Sequence, residues 1–301
     1  MSGIATIGFF DGVHKGHRYL FEQLRKCAAE HEATPLIFTF LQHPRSVLTH
    51  DCPPLLTTVE ERELLLGQFG DVHFFDFAEV QPLTALQFLD YLADRWKVRH
   101  LLMGYNHRFG SDGRLSDDQY ASVAQQAGIC VERALPYSEG NLRPSSTKIR
   151  NLLQQGSIAE ANRMLGYDYL LTGRVVHGRM IGRQIGFPTA NIMPEPDKLI
   201  PAAGVYRVQV SSLSGEAGLS SVSAAVCQRS GLLNIGTNPT VGNTHQTIEV
   251  HIPGFDGDLY NQQLTLHFVE RLRDERHFGS LAELQAQIAR DLTTLNNLEQ
   301  S

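Results

Sequence analysis

The chain has 301 residues, a formal net charge of −6 and four cysteines. That length predicts about two domains with sizeable cores, and the acidic balance argues against nucleic acid as the main partner. No apolar run approaches the roughly 20 residues of a membrane span. The N-terminus has neither a basic n-region nor an apolar h-region, so a cytoplasmic protein is expected. Cys27, Cys52, Cys130 and Cys227 are scattered without a CxxC pair. They read as reduced, partly buried thiols.

The first element is the apolar run Ile4-Ala5-Thr6-Ile7, followed by Gly8-Phe9-Phe10-Asp11-Gly12-Val13-His14-Lys15-Gly16-His17. Leu20, Phe21, Leu24, Cys27 and Ala28 then repeat at helical spacing. A strand therefore delivers His14, Gly16 and His17 to its carboxyl end, where open α/β sheets bind ligands. A helix N-terminus there offers free N–H groups and partial positive charge to phosphate. Gly16 lets backbone approach, and two histidines can donate to phosphate oxygens. This equips the chain to handle a nucleoside triphosphate. Coincidental core or surface histidines are the plainer account, and a spacing of three without a nearby Cys or Asp pair serves zinc poorly.

Strand-like runs recur at Leu36–Phe40, Val72–Phe77, Val98–Met103 and Ile129–Leu135. Helical patterns separate them, with capping-box starts at Thr58/Glu61, Thr84/Gln87 and Ser116/Gln119. Alternating β and α predicts a parallel sheet with right-handed crossovers. Three further stretches carry chemistry. Thr39-Phe40-Leu41-Gln42-His43-Pro44 puts His43 on the rim that carries His14, unless it is a solvated loop residue. Gly104-Tyr105-Asn106-His107-Arg108-Phe109-Gly110 offers Arg108 to phosphate and Asn106 to a base or ribose; a turn with a solvated arginine fits equally. Ser145-Ser146-Thr147-Lys148-Ile149-Arg150 opens a helix whose hydroxyls are either caps or, with the two cations, part of an anion site. Another helix begins with the Ser157–Glu160 capping box.

From about Tyr169 the pattern turns to short β-rich runs punctuated by Gly and Pro: Leu170–His177, Val205–Val210, Val222–Gln228, Thr247–Ile252 and Leu264–Val269. They predict an antiparallel barrel or sandwich, closed by an amphipathic helix over Ser280–Leu298. Ser211–Ser223 reads as a hairpin loop. Gly173, Gly178, Gly182 and Gly186, with Arg174, Arg179 and Arg183 between them, suit tight turns and close backbone approach. In Phe187-Pro188-Thr189-Ala190-Asn191, Thr189 and Asn191 share one face of an extended strand. A hydroxyl and an amide oxygen suit Mg²⁺; two polar residues on an outer strand face are as plain an account. Glu249, between Ile248 and Val250, is a solvated carboxylate unless it faces Thr189 and Asn191, when it becomes a general base. P-loop, GxGxxG, GxSxG and HExxH motifs are absent from the sequence.

Taken in order, these motifs resemble the prokaryotic bifunctional riboflavin kinase/FMN adenylyltransferase (FAD synthetase) family over nearly the whole chain. The first half contributes GFFDGVHKGH, TFLQHP, GYNHRFG and SSTKIR. The second contributes GRQIGFPTAN, Gly204-Val205-Tyr206, NIGTNPT at 234–240, Glu249-Val250-His251, GDLY at 257–260 and LRDERHF at 272–278. Asn106 stands where many relatives have Asp, and Gln42 where Pro commonly precedes the His-Pro pair. The resemblance implies a Rossmann-like nucleotidyltransferase domain at 1–166 and a six-stranded antiparallel β-barrel kinase domain with a terminal helix at 167–301. It implies phosphorylation of riboflavin to FMN and adenylylation of FMN to FAD, with ATP in both steps, Mg²⁺ as cofactor, these small molecules as partners, and neither nucleic acid nor membrane. His14, His17 and Glu249 would be catalytic. Gly8, Phe10, Asp11, Gly16, His43, Asn106, Arg108, Ser146, Thr147 and Arg150 would bind ATP or FMN in the first domain. Gly178, Arg183, Gly186, Phe187, Thr189, Asn191 and Arg273 would bind ATP or flavin in the second, Thr189 and Asn191 also holding the metal. Two alternatives keep only a nucleotidyltransferase, the barrel being either an accessory domain or a flavin-binding module without catalysis.

Overall fold

The computed structural model describes residues 2–49, 52–104, 108–112, 115–178, 180–211, 229–240 and 243–299. The chain forms two compact units, Met1–Ser146 and Thr147–Ser301. The sequence reading places the boundary twenty residues later, between 166 and 167. Two intervening helices belong to the second unit.

In the first unit, β1 (Gly3–Ile7), β2 (Thr34–Phe40), β3 (Asp71–Phe75), β4 (Val98–Met103) and β5 (Cys130–Arg133) form one sheet in the order β3-β2-β1-β4-β5. All four pairings are parallel. The helices between them are α1 (Lys15–Glu30), α2 (Pro44–Thr49), α3 (Val59–Leu66), α4 (Phe77–Val80), α5 (Ala85–Trp96) and α6 (Asp117–Gln126). The three expected capping boxes are formed at Thr58, Thr84 and Ser116. β3 stops at Phe75, short of the expected Phe77, because Asp76 accepts from the Ala78 N–H and starts α4. Ala5, Phe38, Phe75, Leu89, Leu101 and Tyr120 are among the buried side chains of the core. The strand order reverses between β1 and β4, and the crevice beyond the carboxyl ends of such strands is where a doubly wound sheet binds nucleotides. The Gly8–His17 and Gly104–Gly110 segments both start there.

The second unit begins with α7 (Ser146–Gln154, whose first residue closes the first unit) and α8 (Ile158–Leu165). Ser157 precedes α8 but makes no side-chain cap, its ψ of 64° lying outside the extended range of the N-caps Thr58, Thr84 and Ser116. The expected capping box at Ser157–Glu160 is therefore not formed. Instead Asn162 ties α8 to the barrel: its Nδ2 donates to Phe268 O at 2.7 Å, and its Oδ1 accepts from Tyr169 N at 2.9 Å. The barrel strands are β6 (Tyr169–Val176), β7 (Ala190–Pro194), β8 (Gly204–Ser211), β9 (Arg229–Thr240), β10 (Asn243–His251) and β11 (Gln263–Arg273). They close in the order β10-β7-β6-β11-β8-β9, every pair antiparallel. Closure removes the open edges that a sandwich would leave. α9 (Ile181–Gln184) lies in the β6–β7 connection, and α10 (Leu281–Glu299) ends the chain.

The expected strand Val222–Gln228 and most of the expected loop Ser211–Ser223 lie outside the described residues, as does Cys227. Cys27 is half-buried, but Cys52 and Cys130 are exposed, where partial burial was expected. Cys130 sits at the start of β5, an edge strand with only β4 beside it.

Candidate active sites

In the first unit, α1 is capped by an imidazole. The His14 Nδ1 accepts from the His17 N–H at 3.3 Å, which leaves any proton of the neutral ring on Nε2. The His14 and His17 rings stack, centroids 3.6 Å apart. A Cβ on Gly16 would lie 3.2 Å from the His14 ring, so Gly16 admits that ring against the helix start. Phe10 abuts His17 edge-on. Gly8 in turn makes room for Phe10, whose ring would be 2.7 Å from a Gly8 Cβ. Burial pushes the His14 pKa down to about 4, against smaller upward contributions from backbone and Asp11. Burial, and then the neighbouring His14, hold His17 well below its ordinary value. Both rings are therefore neutral at pH 7. Among the described residues, His17 Nδ1 has no hydrogen-bond partner.

The loop between β1 and α1 is unusual in its backbone. Phe10 and Val13 have φ of 53° and 38°, in the left-handed region, and Gly12 has 78°. Such strain persists only where surroundings enforce it. Asp11, 3 % exposed, supplies much of that enforcement. Its Oδ2 accepts from Leu56 N at 3.1 Å, and its Oδ1 from Thr57 N and Thr57 Oγ1 at 3.0 and 3.1 Å. Ser146 Oγ donates to Asp11 O at 2.9 Å. The structure thus turns Asp11 and Ser146 to the loop's own shape.

His43 has its ring against Phe9 and accepts from Arg45 N at 3.1 Å, at the start of α2. Arg108 is exposed, with Nη1 3.5 Å from Leu115 O. Asn106 lies outside the described residues. Thr147 and Arg150 continue α7 in the second unit, exposed and half-buried respectively. Sequence reading missed Arg62, which is fully buried in α3. Its Nη2 donates to Phe40 O, and its Cζ lies 4.3 Å over the Phe9 ring. Burial lowers its pKa to about 10, opposed by Asp11 and Glu60. In sequence it looked like one charge among many in Val59-Glu60-Glu61-Arg62-Glu63.

In the second unit, Thr189 Oγ1 donates to Glu249 Oε2 at 3.3 Å. Glu249 is the register partner of Asn191 on one side and Asn234 on the other, so the three side chains share one face of the barrel wall. Ile248 and Val250 point the opposite way and are buried. A Cβ on Gly178 would sit inside the Asn191 amide, 2.6 Å from its Oδ1. One cavity of ≈ 320 Å³ is lined by Glu249, Asn234, Phe187, Arg273 and side chains of α10; a second of ≈ 400 Å³ is lined by Val175, Arg183, Tyr260 and the 255–259 turn. Thr189 lines both. Gly186, at φ 85°, supplies the turn that α9 needs before Phe187. Arg273 is held by Asp291 of α10 through Nε and Nη2, at 3.1 and 2.7 Å. Its guanidinium therefore fixes the last helix beside the cavity. Thr189, Asn191 and Glu249 offer a set of hard oxygen donors, which fits Mg²⁺.

Two family models match the chain: FAD synthetase over residues 2–148 and riboflavin kinase over residues 165–298. The bifunctional riboflavin kinase/FMN adenylyltransferase of Escherichia coli K12 is 36% identical over 97% of this chain and 91% of its own length. That of Bacillus subtilis is 32% identical over 96% and 90%. Among solved structures, a macrolide-efflux protein from Streptococcus pneumoniae is 27% identical with a TM-score of 0.83, over 98% of this chain and 94% of that one. Among the described residues here, no helix is long and apolar enough to cross a membrane. With both family models in series and relatives aligned almost end to end, the chain belongs to the bifunctional riboflavin kinase/FMN adenylyltransferase family.

Proposed function

We propose that the barrel unit phosphorylates riboflavin to FMN and that the parallel-sheet unit adenylylates FMN to FAD, each with ATP. The observation that carries the kinase reading is the Thr189–Glu249 contact where the two cavities adjoin. Flavin occupies the cavity containing Glu249, and ATP the one lined by Tyr260. The ribityl 5′-hydroxyl attacks the γ-phosphorus; its proton passes to Glu249, and ADP leaves as the terminal P–O bond breaks. Phosphoryl transfer of this kind relies on position and charge neutralisation. Thr189 and Asn191 would hold Mg²⁺, which neutralises phosphate charge when bound. Gly178 leaves the space that lets Asn191 reach that position.

In the first unit, a phosphate oxygen of FMN attacks the α-phosphorus of ATP, and pyrophosphate leaves. His14 and His17 act as neutral hydrogen-bond donors to the charge that builds on the phosphates, an electrostatic rather than nucleophilic role. The strained 10–13 loop, fixed by Asp11, sets where those donors stand. Arg108 and His43 are assigned to phosphate or nucleotide binding in this unit. Incubation with riboflavin and Mg-ATP, followed by flavin separation, tests the whole reading. FMN and FAD together support it. FAD formed only from supplied FMN would leave the barrel as a binding module.

A further inference from the structure

The structure assigns a second, unrelated feature to α1: a site for a borderline-soft divalent cation of the Zn²⁺ class, held by Cys27, His31 and His100. It lies at the opposite end of the helix from His14, about 24 Å away at 1.5 Å per residue. Cys27 and His31 are four residues apart, so they lie on one face of the last turn. His31 is the C-cap, its N–H bonded to the Ala29 and Cys27 carbonyls, which anchors its backbone. His100 arrives from β4, where it pairs with Ile4 of β1 and Cys130 of β5.

The three ligand atoms all lie within 4.8 Å of one another. Cys27 Sγ and His100 Nδ1 are 3.7 Å apart. A tetrahedral ion with bonds of about 2.3 Å to sulfur and 2.0–2.1 Å to nitrogen sets its ligand atoms about 3.5 Å apart. That pair is already spaced for a shared ion, and only the exposed His31 side chain has to close in. The other nitrogen of His100, Nε2, is 3.4 Å from Glu132 Oε2. Nε2 itself makes no hydrogen bond among the described residues, so Glu132 stands beside the imidazole as a neighbouring negative charge, while Nδ1 is the nitrogen that faces the sulfur. One sulfur and two nitrogens select zinc-like ions over Mg²⁺ or Ca²⁺. Three protein ligands leave the fourth position to water. An ion there would pin the end of α1 to β4. The plainer account of the same atoms is a Cys27–His100 hydrogen bond with no ion.

Cobalt distinguishes these accounts. Full-length protein freed of metal by a chelator is titrated with Co²⁺. About one equivalent is expected to give tetrahedral d–d absorption and a thiolate-to-cobalt charge-transfer band, both bleached by Zn²⁺. The charge-transfer band should vanish in Cys27→Ser. His31→Ala, at an exposed position, should weaken binding without touching the core. FAD formation by each variant reports that it remains folded. A pale octahedral spectrum, or bands that survive Cys27→Ser, would overturn the assignment. Oxygen-only sites such as Thr189 and Asn191 cannot produce the thiolate band, so failure here leaves the flavin reading untouched.

Discussion

Acidification should destabilise the first unit through His14 before it silences the chemistry. The folded pKa is about 4 against an ordinary 6.5, so between those values the unfolded chain binds more protons than the folded one. Stability therefore rises with pH across that window: it is fully present above about 6.5 and lost as pH falls towards 4. At about 1.36 kcal/mol per pH unit, the complete loss is about 3 kcal/mol, of which about 2 kcal/mol falls between pH 7 and pH 5. Trp96 is the chain's one tryptophan and packs on Phe38 and Phe75, so its fluorescence reports unfolding of this unit. His14→Asn is the comparison, because Asn does not titrate and is itself a good N-cap. Denaturant unfolding at the two pH values should show the wild type losing about 2 kcal/mol more than the variant. Parallel losses in the two proteins, or an NMR titration of His14 centred near its ordinary value, would refute the neutral-donor account.

Four other substitutions or truncations address separate parts of the molecule. Glu249→Gln should lower riboflavin phosphorylation by roughly 10²–10⁴-fold while FMN adenylylation continues; near-normal FMN production would remove Glu249 from the role of base. Gly178→Ala should displace the Asn191 amide, and the loss of one charge-assisted contact should slow the kinase by about 10- to 10²-fold, read as riboflavin turnover against Mg²⁺ concentration. Asp11→Ala takes an acceptor from the buried Leu56 and Thr57 N–H groups. At about 1–3 kcal/mol each, the Trp96-reported unfolding should lose roughly 2–6 kcal/mol, whereas a ligand-binding role alone would change KM and spare stability. A fragment of residues 147–301 should melt cooperatively and make FMN. One starting at 167 loses the buried Ile158 and Leu165, worth about 1.5–3 kcal/mol each, and the Asn162 bonds, so equal stability of the two fragments would contradict the role given to α8.

What the sequence disclosed was set by how far each interaction reaches along the chain. The boxes at Thr58, Thr84 and Ser116 join residues three apart, and all three formed. Ser157 carries the same local pattern, but the backbone there follows the packing of α8 on the barrel, and no cap results. β9 went unread because Gly231, Gly236 and Pro239 look like loop residues. At Gly236 a Cβ would come 2.9 Å from the tip of the Glu275 side chain, a contact no local pattern reveals. Asn234 was missed with it, because its meaning comes from standing opposite Glu249 across the β9–β10 ladder. The alternation around Thr189 and Asn191 was legible as a face, whereas its pairing with Glu249, some sixty residues away, belongs to register. His14 shows the same limit in a single side chain. Its place in HxGH marked it as functional, and only the fold shows that its ring also caps α1. One imidazole thus starts α1 and stands at the terminus proposed to meet phosphate, where it is the proposed donor. A substitution there moves stability and turnover together unless, as with Asn, the cap is kept and the titrating ring alone is removed.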